Sequence, residues 1–301
     1  MGQRQPMPAP WVVGDRPWVW GDRTYVMGVL NVTPDSFSDG GDFDSLGRAI
    51  DHARNLVAAG ADVLDIGGQS TRPGAEEVPL EAELDRVVPV IQALRGGDHG
   101  LKLTQIPISI DTTKAAVAQA ALTAGANWVN DISGATFDPE MLPLVAQLGV
   151  PIILMHLRGN PETMQQLTVY QDLLGEIQGF LEQRLAAAIA SGVAPNRIII
   201  DPGIGFAKTH CQNLTILQQL PRLWSLGCPI LVGPSRKAFI GTLLNQPDPK
   251  ARSWGTAAAC CGAIAGGADM VRVHDVGPMG DVCRVADAVW RRSPFLDPRS
   301  T

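Results

Sequence analysis

The 301-residue chain has no basic cluster. Nothing longer than Arg291-Arg292 occurs, and the formal net charge is -6. A protein that holds nucleic acid by its phosphates needs a basic face, so that class of partner is set aside. Any cation serving an anionic ligand must be placed locally. Long apolar runs are missing too, since none approaches the roughly 20 residues of a bilayer span. The opening segment MGQRQPMPAPWVV has no basic stretch followed by an apolar one, so no signal peptide is expected. Cysteines are few: Cys211, Cys228, Cys260, Cys261 and Cys283 are odd in number and form no CxxC pair. They are expected as buried, reduced thiols in a cytoplasmic protein with no membrane partner.

What is present is 45% hydrophobic residues, enough to bury a large core. After a Pro-rich lead, expected to be flexible over residues 1–10, WVVGDRPWVWGD reads as a hairpin turning at Gly14-Asp15. Short apolar runs then alternate with longer amphipathic ones. The runs that read as strands cover residues 24–31, 62–68, 107–111, 128–131, 151–156, 197–201, 229–233 and 270–274. Most are continuous rather than alternating, as parallel strands covered on both faces are. Helical stretches between them end in glycine at Gly60, Gly125, Gly149 and Gly267, the residue favoured at a helix C-terminus. A β-α unit repeated in this way predicts a (β/α)8 TIM barrel, a single domain over residues 11–293 with a tail at 294–301. An open doubly wound sheet is the competing fold, but NVTPDSFSDGG after the first strand is no GxGxxG fingerprint.

Polar groups stand at the C-terminal end of every strand: Asn31, Asp65, Asp111, Asn130-Asp131, His156, Asp201, Ser235-Arg236-Lys237 and Arg272 with His274. Asp65 and Asp131 are equally readable as structural groups bonded across the barrel. A complete ring is harder to explain that way, because unpaired buried charge is costly. Two long polar loops follow the first and second strands, NVTPDSFSDGGDF (31–43) and GGQSTRPGAEEV (67–78). Phe37 and Arg72 are poor filler for solvated loop tips, and both loops read as lids.

At the seventh strand, Gly-Pro-Ser opens a helix, where backbone N–H groups and Lys237 favour an anion or an electron-rich carbonyl. Arg272 and His274 lie two apart on one strand face, a pair suited to phosphate or pyrophosphate. Asp111, Asn130 and Asp201 have no counter-cation in their own strands and suit the N–H edge of a polar heterocycle. Aspartates also bind metals, yet no close His/Asp ligand set is visible. A hydrated Mg²⁺ held partly by substrate phosphate needs one protein oxygen, which Asn31 can supply.

In order, the chain contains MGVLNVTPDSFSDGG, DIGGQSTRPGA, ISIDT, VNDISG, LMHLRGNPETMQ, DPGIGFAK, PSRKAFIG and VRVHDV. In these it resembles the dihydropteroate synthases of folate synthesis, from Met27 to about Val276. The resemblance implies transfer of a pterin-methyl group from 6-hydroxymethyl-7,8-dihydropterin pyrophosphate to p-aminobenzoate. It assigns Asp111, Asn130, Asp201 and Lys237 to the pterin ring, and Thr71, Arg72, Arg272 and His274 to pyrophosphate. Phe37, Pro73, Phe206 and Ser235 would shape the p-aminobenzoate slot, Asn31 would meet Mg²⁺, and Asp35 would stabilise a pterin-methyl cation. Arg72, Lys237, Arg272 and His274, with Asp35, would then be the catalytic groups.

Three positions depart from the family's commonest form: Gln69 stands where Glu is frequent, Ala207 where Gly is usual, and Pro234 before Ser235. A pterin-dependent methyltransferase would share the Asp/Asn floor but has no need of STRPG or SRK. A non-catalytic pterin-binding paralogue would be expected to have eroded loops, and a Schiff-base aldolase would use Lys237 differently. Residues 252–268, RSWGTAAACCGAIAGGA, are small and apolar on nearly every face. An outer helix so bare points to a subunit interface, and the resemblance implies a homodimer.

Overall fold

The computed structural model describes residues 7–13, 16–33, 42–97 and 100–291. The hairpin turn at Gly14-Asp15, the loop residues Asp35 and Phe37, and the expected tail at 294–301 lie outside them.

The strands are β1 (Trp11–Val13), β2 (Arg16–Trp18), β3 (Tyr25–Asn31), β4 (Val63–Gly67), β5 (Ile108–Asp111), β6 (Trp128–Asp131), β7 (Ile152–Met155), β8 (Ile198–Asp201), β9 (Leu231–Val232) and β10 (Met270–Val273). The helices are α1 (Asp42–Ala58), α2 (Leu80–Gly96), α3 (Leu101–Thr104), α4 (Ala115–Thr123), α5 (Met141–Leu148), α6 (Leu173–Ala190), α7 (His210–Gln218), α8 (Ala238–Leu244), α9 (Ser253–Ala265) and α10 (Val276–Trp290). Strands β3 to β10 form one parallel sheet in the order β8-β7-β6-β5-β4-β3-β10-β9. A parallel bridge between Ile200 and Ile230 joins its two ends and closes the expected barrel. The seventh barrel strand is shorter than the sequence suggests. Pro229 has no N–H to donate, and only Leu231 and Val232 pair as a ladder.

The period of two along each strand divides the residues between two environments. One set, including Leu64, Ile66, Ile108, Ile110, Val129, Ile152 and Leu154, packs outward with the helices in the largest core cluster. The other points into the barrel. Its lowest layer is Met27, Val63, Trp128, Ile153, Ile199, Leu231 and Met270, which forms one cluster with Trp11, Trp18 and Trp20 of the hairpin region. Trp18 meets Trp128 edge to face at 4.8 Å, so the β1–β2 hairpin plugs the N-terminal mouth. Met7 packs against this cluster, so the last part of the expected lead belongs to the plug. Polar side chains can therefore converge only at the opposite mouth. The four glycines expected at helix ends all have positive φ, from +62° at Gly149 to +114° at Gly125, which L side chains adopt at a cost.

The cysteines depart in part from expectation. All are free, and Cys228, Cys260 and Cys283 are buried, but Cys211 and Cys261 are exposed. Each of those two sits on the outward face of its helix. Among the described residues no helix is long and apolar enough to cross a membrane.

Candidate active site

The next inward layer is polar. Arg272, on β10, reaches across β3 to two carboxylates: its Nε donates to Asp65 Oδ2 at 2.5 Å and its Nη2 to Asp111 Oδ2 at 2.8 Å. Asn130 Nδ2 donates to the same Asp65 oxygen at 3.0 Å. Asp65, Asp111 and Asn130 are all buried. The floor thus has the counter-cation that its own strands lack, supplied by a strand 161 residues further along the chain from Asp111. Burial pushes the Asp111 carboxyl up to about 7, with the Arg272 charge opposing and the Asp65 charge adding. Asp201 is raised to about 6 by burial, although the Gly203 N–H donates to it at 2.7 Å.

Asp201 begins the turn DPGIGFAK, which lies along the rim. At Gly203 (φ +72°) a Cβ would stand 2.1 Å from the His156 carbonyl oxygen. The turn's carbonyls are occupied: Gly205 O accepts from Gln165, Phe206 O from Lys208, and Ala207 O from Tyr170. Ala207 has φ 51°, so the alanine found in place of glycine sits in the left-handed region. Its methyl is fully buried beside Met155 and Phe206, which offsets part of that cost. Lys208, to which the sequence reading assigned no role, is buried with Nζ 3.0 Å from His156 Nδ1. Burial lowers its ammonium to about 7. His156, expected on the rim, faces this lysine. Burial and the Lys208 charge hold the imidazole neutral.

Lys237 enters the site from the start of α8. Its Nζ lies 4.0 Å over the Phe206 ring, and burial lowers it to about 8. Ser235 Oγ is 3.0 Å from His274 Nδ1 and accepts from the His274 N–H at 3.2 Å. Burial and then the Arg272 charge lower His274 to about 3, so at neutral pH it is a neutral hydrogen-bonding group in the ligand-free chain. Arg236 (φ 60°) turns away from this cluster and pairs with Asp275 through Nε and Nη2, at 3.1 and 2.6 Å. That bidentate contact locks the strand-seven turn to the strand-eight turn. The structure therefore brings together Asp111, Asn130, Asp201, Phe206, Ser235, Lys237, Arg272 and His274.

The second loop is not part of that cluster. Thr71 is half-buried, while Arg72 and Pro73 are exposed. Gly74 N of this loop donates to Pro161 O, in the segment after β7, at 3.0 Å. At the base, Lys114 Nζ donates to Gln69 Oε1 at 3.1 Å and to buried Glu83 at 2.8 Å. An open cavity of about 660 Å³ lies between this loop and the floor, lined by Gln69, Thr71, Asp111, Lys114, Ile132 and Phe137 among others. Asn31 ends β3 half-buried at the rim. No group of three or more His, Cys, Asp or Glu among the described residues could hold a metal. A cation at Asn31 would take one oxygen from the described residues and the rest from water and substrate, which suits Mg²⁺.

Residues 27–274 match the family described as pterin binding enzyme. The chain is 62% identical over 284 residues to the dihydropteroate synthase of Synechocystis, covering 94% of this chain and 96% of that one. It superposes on the Xanthomonas albilineans dihydropteroate synthase solved with 4-aminobenzoic acid with a TM-score of 0.85 at 43% identity, covering 94% and 98% of the two chains. The same enzyme in complex with 7,8-dihydropteroate gives 0.82 at 41% identity, covering 93% and 98%. A barrel whose polar mouth carries the eight motifs in order, matched along nearly its whole length, belongs to the pterin-binding enzyme family, in its dihydropteroate synthase branch.

Proposed function

We propose that the polar mouth of the barrel binds 6-hydroxymethyl-7,8-dihydropterin pyrophosphate at its floor and p-aminobenzoate above it, and joins them with loss of pyrophosphate. The observation that carries these assignments is the convergence of Asp111, Asn130, Asp201 and Lys237 around Arg272 on one face. Asp111, Asn130 and Asp201 offer oxygens to the ring's amino and N–H groups, and protonated Lys237 approaches the ring carbonyl. Arg272 spends Nε and Nη2 on the floor, so Nη1 is the edge it offers to phosphate. Thr71, Arg72 and His274 complete the anion end, and Asn31 is the protein ligand of Mg²⁺. When bound, that ion neutralises charge building on the leaving pyrophosphate.

An aromatic amine is a weak nucleophile, so departure of the leaving group leads. The bond between the methylene carbon and the pyrophosphate oxygen breaks, and its electron pair leaves with pyrophosphate. The pterin shares the positive charge, and this reading assigns Asp35 as its counter-charge. The amine lone pair then bonds to the methylene carbon and the nitrogen gives up a proton. No covalent enzyme intermediate is needed, and water is kept out by the two loops. Phe37, Pro73, Phe206 and Ser235 hold the amine substrate, its carboxylate toward the start of α8. The buried free thiols fit a reducing cytoplasm, and the bare outer face of α9 fits a homodimer.

The assay is pyrophosphate release from the pterin pyrophosphate with and without p-aminobenzoate. Release that depends on the amine, with equal dihydropteroate formed, is the expected result. Release at the same rate without it would make the chain a hydrolase instead.

A further inference from the structure

Asp65 sits in the middle of β4 and is completely buried. Through the single oxygen Oδ2 it accepts from both Asn130 Nδ2 and Arg272 Nε. Its other oxygen, Oδ1, is buried with no hydrogen-bond partner among the described residues. This is an expensive arrangement: a carboxylate removed from water with one acceptor left unmet. Asp111 also bonds Arg272, through Nη2 at 2.8 Å, so the guanidinium is held from two sides.

We infer that Asp65 is a positioning residue, which sets the hydrogen-bonding polarity that Asn130 shows to the ligand and so selects a ring edge that donates there. An amide side chain carries a donor end and an acceptor end, and by itself can present either. An ionised carboxylate only accepts. Asn130 must therefore turn its NH₂ to Asp65, leaving Oδ1 as the atom that meets the substrate. A ring with N–H at that position satisfies the oxygen, whereas a ring with a bare nitrogen there meets lone pair against lone pair. The same Asp65 oxygen anchors Arg272 across the barrel, so one buried group aligns the pterin floor and the neighbouring cation. Its charge also helps to raise Asp111, after burial and against Arg272.

This inference rests on the reading of the floor as a pterin site, and the test separates the two. The probe is 6-hydroxymethyl-7,8-dihydropterin, titrated by calorimetry from pH 5.5 to 9 into wild type, Asp65→Asn, and the exchange variant Asp65→Asn/Asn130→Asp. An asparagine at 65 can turn either way and leaves Arg272 with one carboxylate fewer. Affinity should drop at least about fivefold, the low end of the cost of one mispaired buried group. The acid limb of the binding profile should move to lower pH, because Asp111 loses a like charge. A merely structural loss would leave that limb in place. In the exchange variant the amide at 65 donates to a carboxylate at 130, whose second oxygen again accepts from the ring, so binding recovers relative to Asp65→Asn. With the pyrophosphate substrate, KM for the pterin should rise in Asp65→Asn while KM for p-aminobenzoate holds.

A loss smaller than about fivefold with an unmoved limb overturns the inference, as does an exchange variant no tighter than the single one. If Asp65→Asn does not fold, the exchange variant, which keeps the charge count, decides alone: binding more than about tenfold weaker than wild type overturns it. A wild-type chain that fails to bind the probe sinks the pterin reading instead.

Discussion

Lys237 stands over the Phe206 ring with Nζ 4.0 Å from its centre, and its stem runs across Gly205. A Cβ on Gly205 would come within 2.8 Å of Lys237 Cδ, and the backbone there has φ +85°. The glycine thus serves two ends at once, a left-handed turn and room for the lysine. Gly205→Ala should strain the turn by about 1–2 kcal/mol and push Lys237 off its ring contact. Pterin affinity should drop severalfold while the barrel stays folded, as calorimetry beside a melting curve would show. Unchanged affinity would mean that Lys237 does not need this path to the ring.

Arg272 offers a second test, because it neutralises two carboxylates rather than one. Removing one partner of a buried ion pair typically costs about 3–5 kcal/mol. Arg272→Ala removes the cation hydrogen-bonded to both Asp65 and Asp111, so the melting temperature and kcat/KM should both drop. Arg272→Lys keeps a charge but not the planar fork that reaches both carboxylates, and should recover stability more than turnover. If Arg272→Ala keeps wild-type kcat/KM, its role at the anion end is wrong.

Much of this molecule was legible in its sequence, and the exceptions have physical causes. The barrel could be read because its parallel strands are short continuous apolar runs and several of the helical stretches between them stop at a glycine with positive φ. Asp111, Asn130, Asp201 and Arg272 could be placed on one rim because they stand at or next to the C-terminal ends of their strands. Asp65 could not be resolved between structure and function from its neighbours alone. Its partner Arg272 lies 207 residues away, and only the pairing of β10 with β3 brings it within reach of β4. Lys208 was missed for a similar reason: a lysine ending a glycine-rich turn looks exposed until His156 is seen packed behind it. Arg72 and Pro73 read as loop residues and are exposed, but the Gly74–Pro161 hydrogen bond that ties their loop to the segment after β7 is one no local pattern announces.

The pH dependence of stability follows from Asp111. Burial raises its carboxyl from an ordinary value near 4 to about 7. A group that holds its proton better in the fold stabilises it at low pH, and that contribution is lost as pH rises from near 4 through about 7. Asp111→Asn cannot titrate. The melting-temperature gap between wild type and Asp111→Asn should therefore narrow as pH rises over this window and level off above it. A gap that stays constant from pH 4.5 to 8 would show that Asp111 is ionised throughout.

Assembly is testable at α9. Helix α10 packs on its inner side, with Cys260, Ile264, Met279, Cys283 and Ala286 in one core. It does not cover the outer side, where Trp254 is 87% exposed. Leu243 and Leu244 of α8 and Val285 and Val289 of α10 are also exposed. A monomer seldom leaves so much apolar surface wet. Sedimentation at micromolar concentration should give a dimer mass, and Trp254→Arg should shift it toward the monomer without loss of fold. A wild-type monomer would count decisively against the homodimer.

The last prediction concerns the order of binding. In the ligand-free chain Arg72 and Pro73 are exposed, and Gly74 of the same loop donates to Pro161 O. Lys114 meanwhile pins its base to Gln69 and Glu83. Of the proposed p-aminobenzoate slot, Phe206 and Ser235 belong to the assembled cluster and Pro73 does not, while Phe37 lies outside the described residues. Ser235 Oγ is engaged with His274, so the amine substrate's carboxylate finds few anchors before the loops close. Closing them orders several residues, each at a cost of about 1–2 kcal/mol in backbone entropy. On the proposed reading, bound pyrophosphate offsets that cost by engaging Arg72, with Mg²⁺ at Asn31. Only then does Pro73 reach the slot, and in this reading Phe37 with it. p-Aminobenzoate, and any sulfonamide that mimics it, should therefore bind weakly to the free enzyme and tightly after preloading with dihydropterin, pyrophosphate and Mg²⁺. Arg72→Ala should remove most of that gain while leaving pterin binding nearly intact, because Arg72 touches neither Asp111 nor Asp201. Two titrations of p-aminobenzoate, with and without preloading, decide the matter. Equal affinities would mean the slot is preformed and the loops are not its second wall.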